Sequence, residues 1–327
     1  MRLSRVRDTL VSLIWDTARL VSRVCKYREL TPKKGQPHGQ YPLQNKKKEA
    51  IKKLNIERRY MKALFIGDIV GQSGRKVVQD NLQKIISRYD LDFVVANGEN
   101  SASGFGITEK IFHSLIDAGI DVVTSGNHIW DKKETTDYID KENRLLRPAN
   151  IAEGSPGKGY EIYTSKNRKY KIGVVNLMGN VFMRKTNDAF ETAKIISKKL
   201  ILKQNVDFMV VDFHGEITSE KMAIGHFFDG LSTCVVGTHT HVPTADTRIL
   251  EKGTAYQTDI GMCGDYNSVI GMNKENSVKR FLKEKDASKH FPAEGEGTLS
   301  GIIVETNIET GLAKKVARFI EGGSLDS

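Results

Sequence analysis

The chain has 327 residues, 39% of them apolar and 28% charged, a balance that suits a soluble globular protein with a sizeable core. The net charge of +10 invites a nucleic-acid reading. Yet 16 of the 50 Lys and Arg and only 5 of the 40 Asp and Glu fall in residues 1–60, leaving 34 against 35 in the remainder, so the body of the chain is neutral and only its front is basic. No run approaches the ~18 consecutive apolar residues of a membrane span. Cys25, Cys234 and Cys263 are too few and too scattered for a disulfide framework, and the reducing cytoplasm is the expected compartment.

Residues 1–60 form an extension distinct from a domain over 61–327. Leu3, Val6, Leu10, Leu13, Ile14, Ala18, Val21 and Val24 recur at helical spacing, with Arg2, Arg5, Arg19 and Arg23 on the remaining surface. Such a helix suits an anionic membrane, a nucleic-acid or protein partner, or a targeting role, although Asp8 and Asp16 weigh against targeting. Thr31 to Lys48 has the composition of a solvated linker. A non-catalytic tail ahead of a domain opening at Met61 is the plainer account.

From Met61 the chain reads as strand, loop and helix in alternation, the grammar of an α/β domain. Ala63–Ile66 is a strand ending at Gly67-Asp68; a turn at Gly71–Gly74 and a helix over about 75–88 follow. Neither GxGxxG nor the phosphate loop is present, though a helix N-terminus near Gly74, with Arg75, suits a phosphate; otherwise Arg75 is a surface residue. Phe93–Asn97 ends in Gly98-Glu99-Asn100, and Val122–Ser125 leads to Gly126-Asn127-His128. Asp131 either orients His128 or caps a helix. His113 falls inside a helix around 111–118 and is structural.

Strands over 170–177 and 208–213 flank a helix over 189–204, and the second of them delivers His214. Cys234-Val235-Val236 then runs into Gly237-Thr238-His239-Thr240-His241. On extended backbone, side chains two apart share a face, so His239 and His241 are expected to enter one pocket. Later strands over 253–260, 297–305 and 313–320 suggest a second sheet packed on the first, with Asp259 either a supporting residue or a turn residue.

Taken singly, each of Asp68, Glu99, Asn100, Asn127, His128, His214, His239 and His241 has an ordinary turn or core explanation. Five strand ends that all supply oxygen or nitrogen donors are another matter. The donors outnumber the needs of one tetrahedral zinc and include no thiolate, whereas two cations sharing a carboxylate would use them well.

At these residues the chain resembles the calcineurin-like metallophosphoesterase superfamily, whose general pattern is D-x-H, G-D, G-N-H-[DE], an isolated His and G-H-x-H. It departs at Val70, where the first His would stand, and at Glu99-Asn100. Those departures, with Gly126-Asn127-His128-Ile129-Trp130-Asp131, Arg147-Pro148-Ala149-Asn150 and Asp212-Phe213-His214, resemble the YmdB-type phosphodiesterases from Met61 to near the end. The resemblance implies a four-layer α/β/β/α sandwich. It implies a dinuclear centre of two divalent or trivalent ions, iron or else manganese, that hydrolyses 2′,3′-cyclic nucleotides to 3′-nucleotides by metal-bridged hydroxide attack.

Carried over, Asp68, Glu99, Asn100 and His241 bind one ion, Glu99, Asn127, His214 and His239 the other, and His128 is the proton donor. The expected assembly is a homo-oligomer. A phosphomonoesterase or nuclease would share every ligand. A regulatory, RNA-associated protein acting through residues 1–60 is the reading from another class.

Overall fold

Strands that are apolar on both faces need cover on both, and the described residues, 60–166 and 169–325 of this computed structural model, supply it. The expected basic extension lies outside them, apart from Tyr60. The chain opens with β1 (Lys62–Ile66), β2 (Asp68–Ile69), α1 (Gly71–Tyr89), β3 (Phe93–Asn97), α2 (Glu109–Ala118) and β4 (Val122–Thr124). It continues through the short α3 (Thr135–Tyr138), β5 (Tyr160–Thr164), β6 (Lys171–Met178), α4 (Ala189–Ser197), β7 (Phe208–His214), α5 (Thr218–Phe227) and β8 (Cys234–Thr238). Last come β9 (Arg248–Ile249), β10 (Ala255–Gln257), β11 (Met262–Cys263), α6 (Lys274–Phe281), β12 (Leu299–Thr306) and β13 (Ala313–Glu321).

One sheet has the order β13-β12-β1-β3-β4, another β5-β6-β7-β8-β10-β9, and β2 pairs with β11 in a small ladder. Within them β1, β3 and β4 are mutually parallel, as are β6, β7, β8 and β10. Alternation along each strand sorts the side chains. Ala63 and Phe65 of β1 meet Phe208 and Val210 of β7 in a core between the sheets, where Phe93, Val95, Ile172, Val174 and Val236 also lie. Leu64 and Ile66 face the other way, onto Val78, Leu82 and Ile85 of α1 and Phe112 and Leu115 of α2. Met209, Val211 and Phe213 turn likewise to Ala189, Ala193 and Ile196 of α4 and Ile224 of α5. Helix, sheet, sheet and helix therefore form the four layers, and the C-terminal ends of β1, β3, β4, β7 and β8 supply the loops that carry the donor residues.

Three sequence expectations change. Residues 71–74 are the first turn of α1; their glycines answer to close packing, since a Cβ at Gly74 would lie 2.2 Å from the Cys263 carbonyl oxygen and one at Gly71 2.6 Å from Pro292. Helix α4 stops at Ser197, well short of 204, and the chain turns through Lys203 with left-handed backbone (φ 63°). The late strands do not make a sheet of their own: β12 and β13 join β1, and β10 joins β8. Helix α6 stands between them, and α5 and β5 were unforeseen. In α5 a mid-helix Gly225 masks the helical signal; a Cβ there would lie 2.4 Å from the Tyr256 ring. No helix among the described residues is long and apolar enough to cross a membrane.

Phe208 is wholly buried between the sheets and Phe281 is 80% exposed. Phe208→Ala is expected to cost about 3–5 kcal/mol of stability and Phe281→Ala no more than about 0.5 kcal/mol, read by urea unfolding.

Candidate metal centre

Strand β8 ends at Thr238, and the chain then turns through left-handed backbone at both His239 (φ 97°) and His241 (φ 65°). The two imidazoles thus do not share the face of an extended strand, as their spacing suggested. The turn sends them to neighbouring groups of donors. His239 Nδ1 lies 3.0 Å from His214 Nε2, whereas His241 Nε2 lies 3.0 Å from Asn100 Nδ2 and 3.8 Å from Asp68 Oδ1. Asp259 holds the turn from beneath: its Oδ2 accepts from the Thr240 hydroxyl at 2.7 Å, the Thr240 amide at 3.2 Å and Lys221 Nζ at 2.7 Å. That ion pair is buried on both sides. Asp259 is therefore a support and not a turn residue, and Lys221, on a helix that the sequence did not announce, was missed.

Around His214 Nε2 the donors crowd beyond what protons can satisfy. Asn127 Oδ1 is 3.0 Å away, Glu99 Oε1 2.9 Å and His239 Nδ1 3.0 Å. One ring nitrogen carries at most one proton, so most of these electron pairs face one another. Glu99, His214 and His239 each offer an atom within 4.8 Å of the others. Asp68 Oδ1, Glu99 Oε1 and Asn100 Oδ1 are buried without a hydrogen-bond partner of acceptable geometry. Orphaned buried oxygens are rare and costly, and oxygen with imidazole nitrogen is the donor set of hard to borderline cations. These residues fit a metal.

The opposite nitrogen of each imidazole is already committed, which turns the free lone pair toward the cluster. His214 Nδ1 meets Thr238 Oγ1 at 2.9 Å; that hydroxyl donates to Asp212 Oδ1 at 2.7 Å and so accepts from the ring. His241 Nδ1 donates to the Ile270 carbonyl at 2.8 Å, and His239 Nε2 lies 3.1 Å from Glu216 Oε2. Thr238, Ile270 and Glu216 were not legible as site residues; only Glu216, two places after His214, gave any signal.

Charge in the cluster is sharply divided. Burial pushes the Asp68 carboxyl up to about 6, against the pull of His241 and His214. Burial would raise Glu99 too, but the charge and contact of His214, with help from His128, hold it down at about 2. His214 is disfavoured as a cation by burial, yet Glu99, Asp68 and Asp212 carry it up to about 9. Burial, reinforced by His214, takes His239 down to about 3. A single positive charge is thus strongly favoured where the carboxylates meet.

His128 stands beside the cluster. Its backbone N–H donates to Glu99 Oε2 at 2.9 Å while its ring points elsewhere, Nδ1 lying 2.7 Å from Asp131 Oδ2. Arg184 holds the other oxygen of Asp131 at 3.0 Å, and the Phe105 ring packs edge-on at 5.0 Å. Asp131 is therefore no helix cap; Glu134 occupies that position at α3. Arg75 is half-buried, not a surface residue, and donates to the Ser101 carbonyl, fastening the loop that carries Glu99 and Asn100. The Gly71 N–H at the start of α1 is already given to the Asn100 carbonyl at 3.0 Å. His113 sits half-exposed on α2, 3.5 Å from Glu142 and outside the cluster.

A two-sheet α/β sandwich with oxygen and imidazole donors gathered at its strand ends is the architecture of the metallophosphoesterases. Among solved structures, the chain is similar to a phosphatase from Mycoplasma pneumoniae, with TM-score 0.74 and 36% identity over 80% of this chain and 94% of that one. A hypothetical protein from Thermus thermophilus gives TM-score 0.73 and 36% identity, covering 81% of this chain and 100% of the other. Residues 64–319 match the family described as YmdB-like protein, and the chain belongs to that family. It is 46% identical over 260 residues, 80% of this chain and 97% of the relative, to the 2′,3′-cyclic-nucleotide 2′-phosphodiesterase of Bacillus subtilis (strain 168).

Gly126 tests the packing around His214, because a Cβ there would lie 2.2 Å from the ring's Cδ2. Gly126→Ala is expected to retain its far-ultraviolet circular dichroism and to bind manganese about 10–100-fold more weakly by calorimetric titration, as other losses of ligand orientation do.

Proposed function

We propose that residues 61–327 form a dinuclear-metal phosphodiesterase that hydrolyses 2′,3′-cyclic nucleotides, opening the 2′ ester to leave the 3′-phosphate. The observation that carries the reading is the separation of roles around Glu99: seven donor side chains turn toward one another, and one imidazole, His128, is held just outside them by a carboxylate. Support for the substrate comes from the activity named for the Bacillus subtilis relative.

In this reading Asp68, Glu99, Asn100 and His241 hold one ion and Glu99, Asn127, His214 and His239 the other, Glu99 being shared. Iron is the favoured metal, with manganese the alternative. When bound, such a pair neutralises charge on a phosphoryl group and lowers the pKa of water.

The protein's own part is orientation and proton transfer. Asp131 Oδ2, 2.7 Å from His128 Nδ1, accepts the proton on that nitrogen and fixes the ring, which leaves Nε2 as the nitrogen that gives a proton to the departing 2′ oxygen. Arg184, bound to the second oxygen of Asp131, holds that carboxylate toward the ring. Protonation matters because a ribose alkoxide is a poor leaving group, and a placed acid contributes roughly 10²–10⁴-fold. Cys234 and Cys263, buried as free thiols, suit the cytoplasmic location assigned by sequence. Self-association belongs to the same proposal.

The test is turnover of 2′,3′-cyclic AMP, 3′,5′-cyclic AMP, a phosphomonoester and bis(p-nitrophenyl) phosphate by wild type and His128→Ala, with metal content measured on both. The 2′,3′-cyclic ester is expected to be the best natural substrate. His128→Ala should keep its metal and lose about 10²–10⁴-fold on that ester, but far less on the nitrophenyl diester, whose leaving group needs no proton. Preference for the monoester would replace the proposal with a phosphatase, and parallel loss of metal would make His128 a ligand.

A further inference from the structure

Against His241 opens a cavity of about 310 Å³, lined by Val242, Pro243, Met262, Tyr266 and Ile270 among others. That is within the size of small-molecule sites, about 300–1,000 Å³. Its rim is apolar and open to solvent: Val242 is 56% and Ile270 50% exposed. Ile270 adopts left-handed backbone (φ 49°), which is uncommon for any residue with a Cβ and an outlier for a β-branched one. Two constraints hold it there. Its carbonyl accepts the His241 Nδ1 proton at 2.8 Å, and paired 2.9 Å backbone bonds between Val269 and Met272 close the turn around it. One strained residue thus orients an imidazole of the donor cluster and presents an aliphatic side chain beside it.

The polar groups of this lining are already spoken for. The Tyr266 hydroxyl accepts from the Met262 N–H at 2.8 Å and donates to the Met262 carbonyl at 3.0 Å. Ser268 Oγ donates to the Asp265 carbonyl and accepts from the Gly271 N–H at 2.8 Å. What these residues offer a ligand is apolar surface and ring faces, not donors and acceptors matched to a particular edge.

We propose that this cavity seats the nucleobase of a cyclic nucleotide whose phosphate lies at the strand-end cluster, and that it holds the base by apolar contact without reading its edge. The inference rests on the phosphodiesterase reading above and adds to it a base subsite and a specificity: purines and pyrimidines are accepted alike. Because His241 belongs to both cavity and cluster, phosphate and base need be separated by no more than the ribose between them.

The experiment compares kcat/KM for 2′,3′-cyclic AMP with that for glycerol 1,2-cyclic phosphate, a five-membered cyclic diester with no base, in wild type, Val242→Asp and Ile270→Gly. Glycine removes the side chain while relieving the left-handed backbone, so the variant is not expected to fail in folding. The wild-type ratio should exceed one, and each variant should lower it about tenfold, chiefly through KM for the nucleotide. Adenosine, guanosine, cytidine and uridine 2′,3′-cyclic phosphates should differ by less than about tenfold in wild type.

A wild-type ratio near one, a ratio unmoved by both variants, or a preference for one base of a hundredfold or more would overturn the base seat and leave the diesterase reading standing. Failure of wild type to turn over either cyclic ester would overturn both.

Discussion

Two carboxylates, Asp68 and Glu99, are fully buried where strands from both sheets end, and a carboxylate removed from water is tolerated only against compensating charge or hydrogen bonds. Backbone N–H groups satisfy one oxygen of each, from His239 and from His128, and leave the other oxygen of each without a hydrogen bond of acceptable geometry. The resulting demand for positive charge explains why His214, itself fully buried, is carried up to about 9 while its neighbour His239 is driven down to about 3. Most of the local structure follows from keeping those oxygens together and the surrounding imidazoles turned toward them.

Asp212 joins the elements that must stay in register. It accepts from Asn97 at the end of β3 and from Thr124 of β4 in one sheet, and from Thr238 of β8 in the other. Through Thr238 it also fixes the ring of His214. A bond network that spans the two sheets at their common edge makes the position of the donors a property of the whole sandwich, not of any single loop. Unusual backbone occurs here too: His239, His241 and Ile270 all have positive φ, and each is tied by a hydrogen bond to a neighbouring element. Such conformations persist where the surroundings over-determine them.

The chemistry divides along the same lines. The carboxylates and the imidazoles nearest them lie in the buried cluster, and His128 stands at its border, held by Asp131 and, behind it, Arg184. Phosphatase, nuclease and cyclic phosphodiesterase all need the first feature. They differ in the walls around it, and here the wall beside His241 is aliphatic and aromatic.

Much of the fold was legible in the sequence because buried strands announce themselves by short apolar runs: β1, β3, β7 and β8 were read within a residue or two. The donors were legible for a related reason, since Asp68, Glu99, Asn127 and His214 each fall just where such a run ends. Sequence by itself thus determined the α/β class and which oxygen- and nitrogen-bearing side chains stand at the strand ends. Tertiary structure alone decided that β12 and β13 return to β1, that His239 and His241 diverge through left-handed backbone, and that Thr238, Glu216 and Ile270 orient the imidazoles. The reason is one of range: periodicity and turn chemistry act over a few residues, whereas pairing Ile66 with Gly301, or His241 with Ile270, is settled only when distant segments compete to bury the same surface.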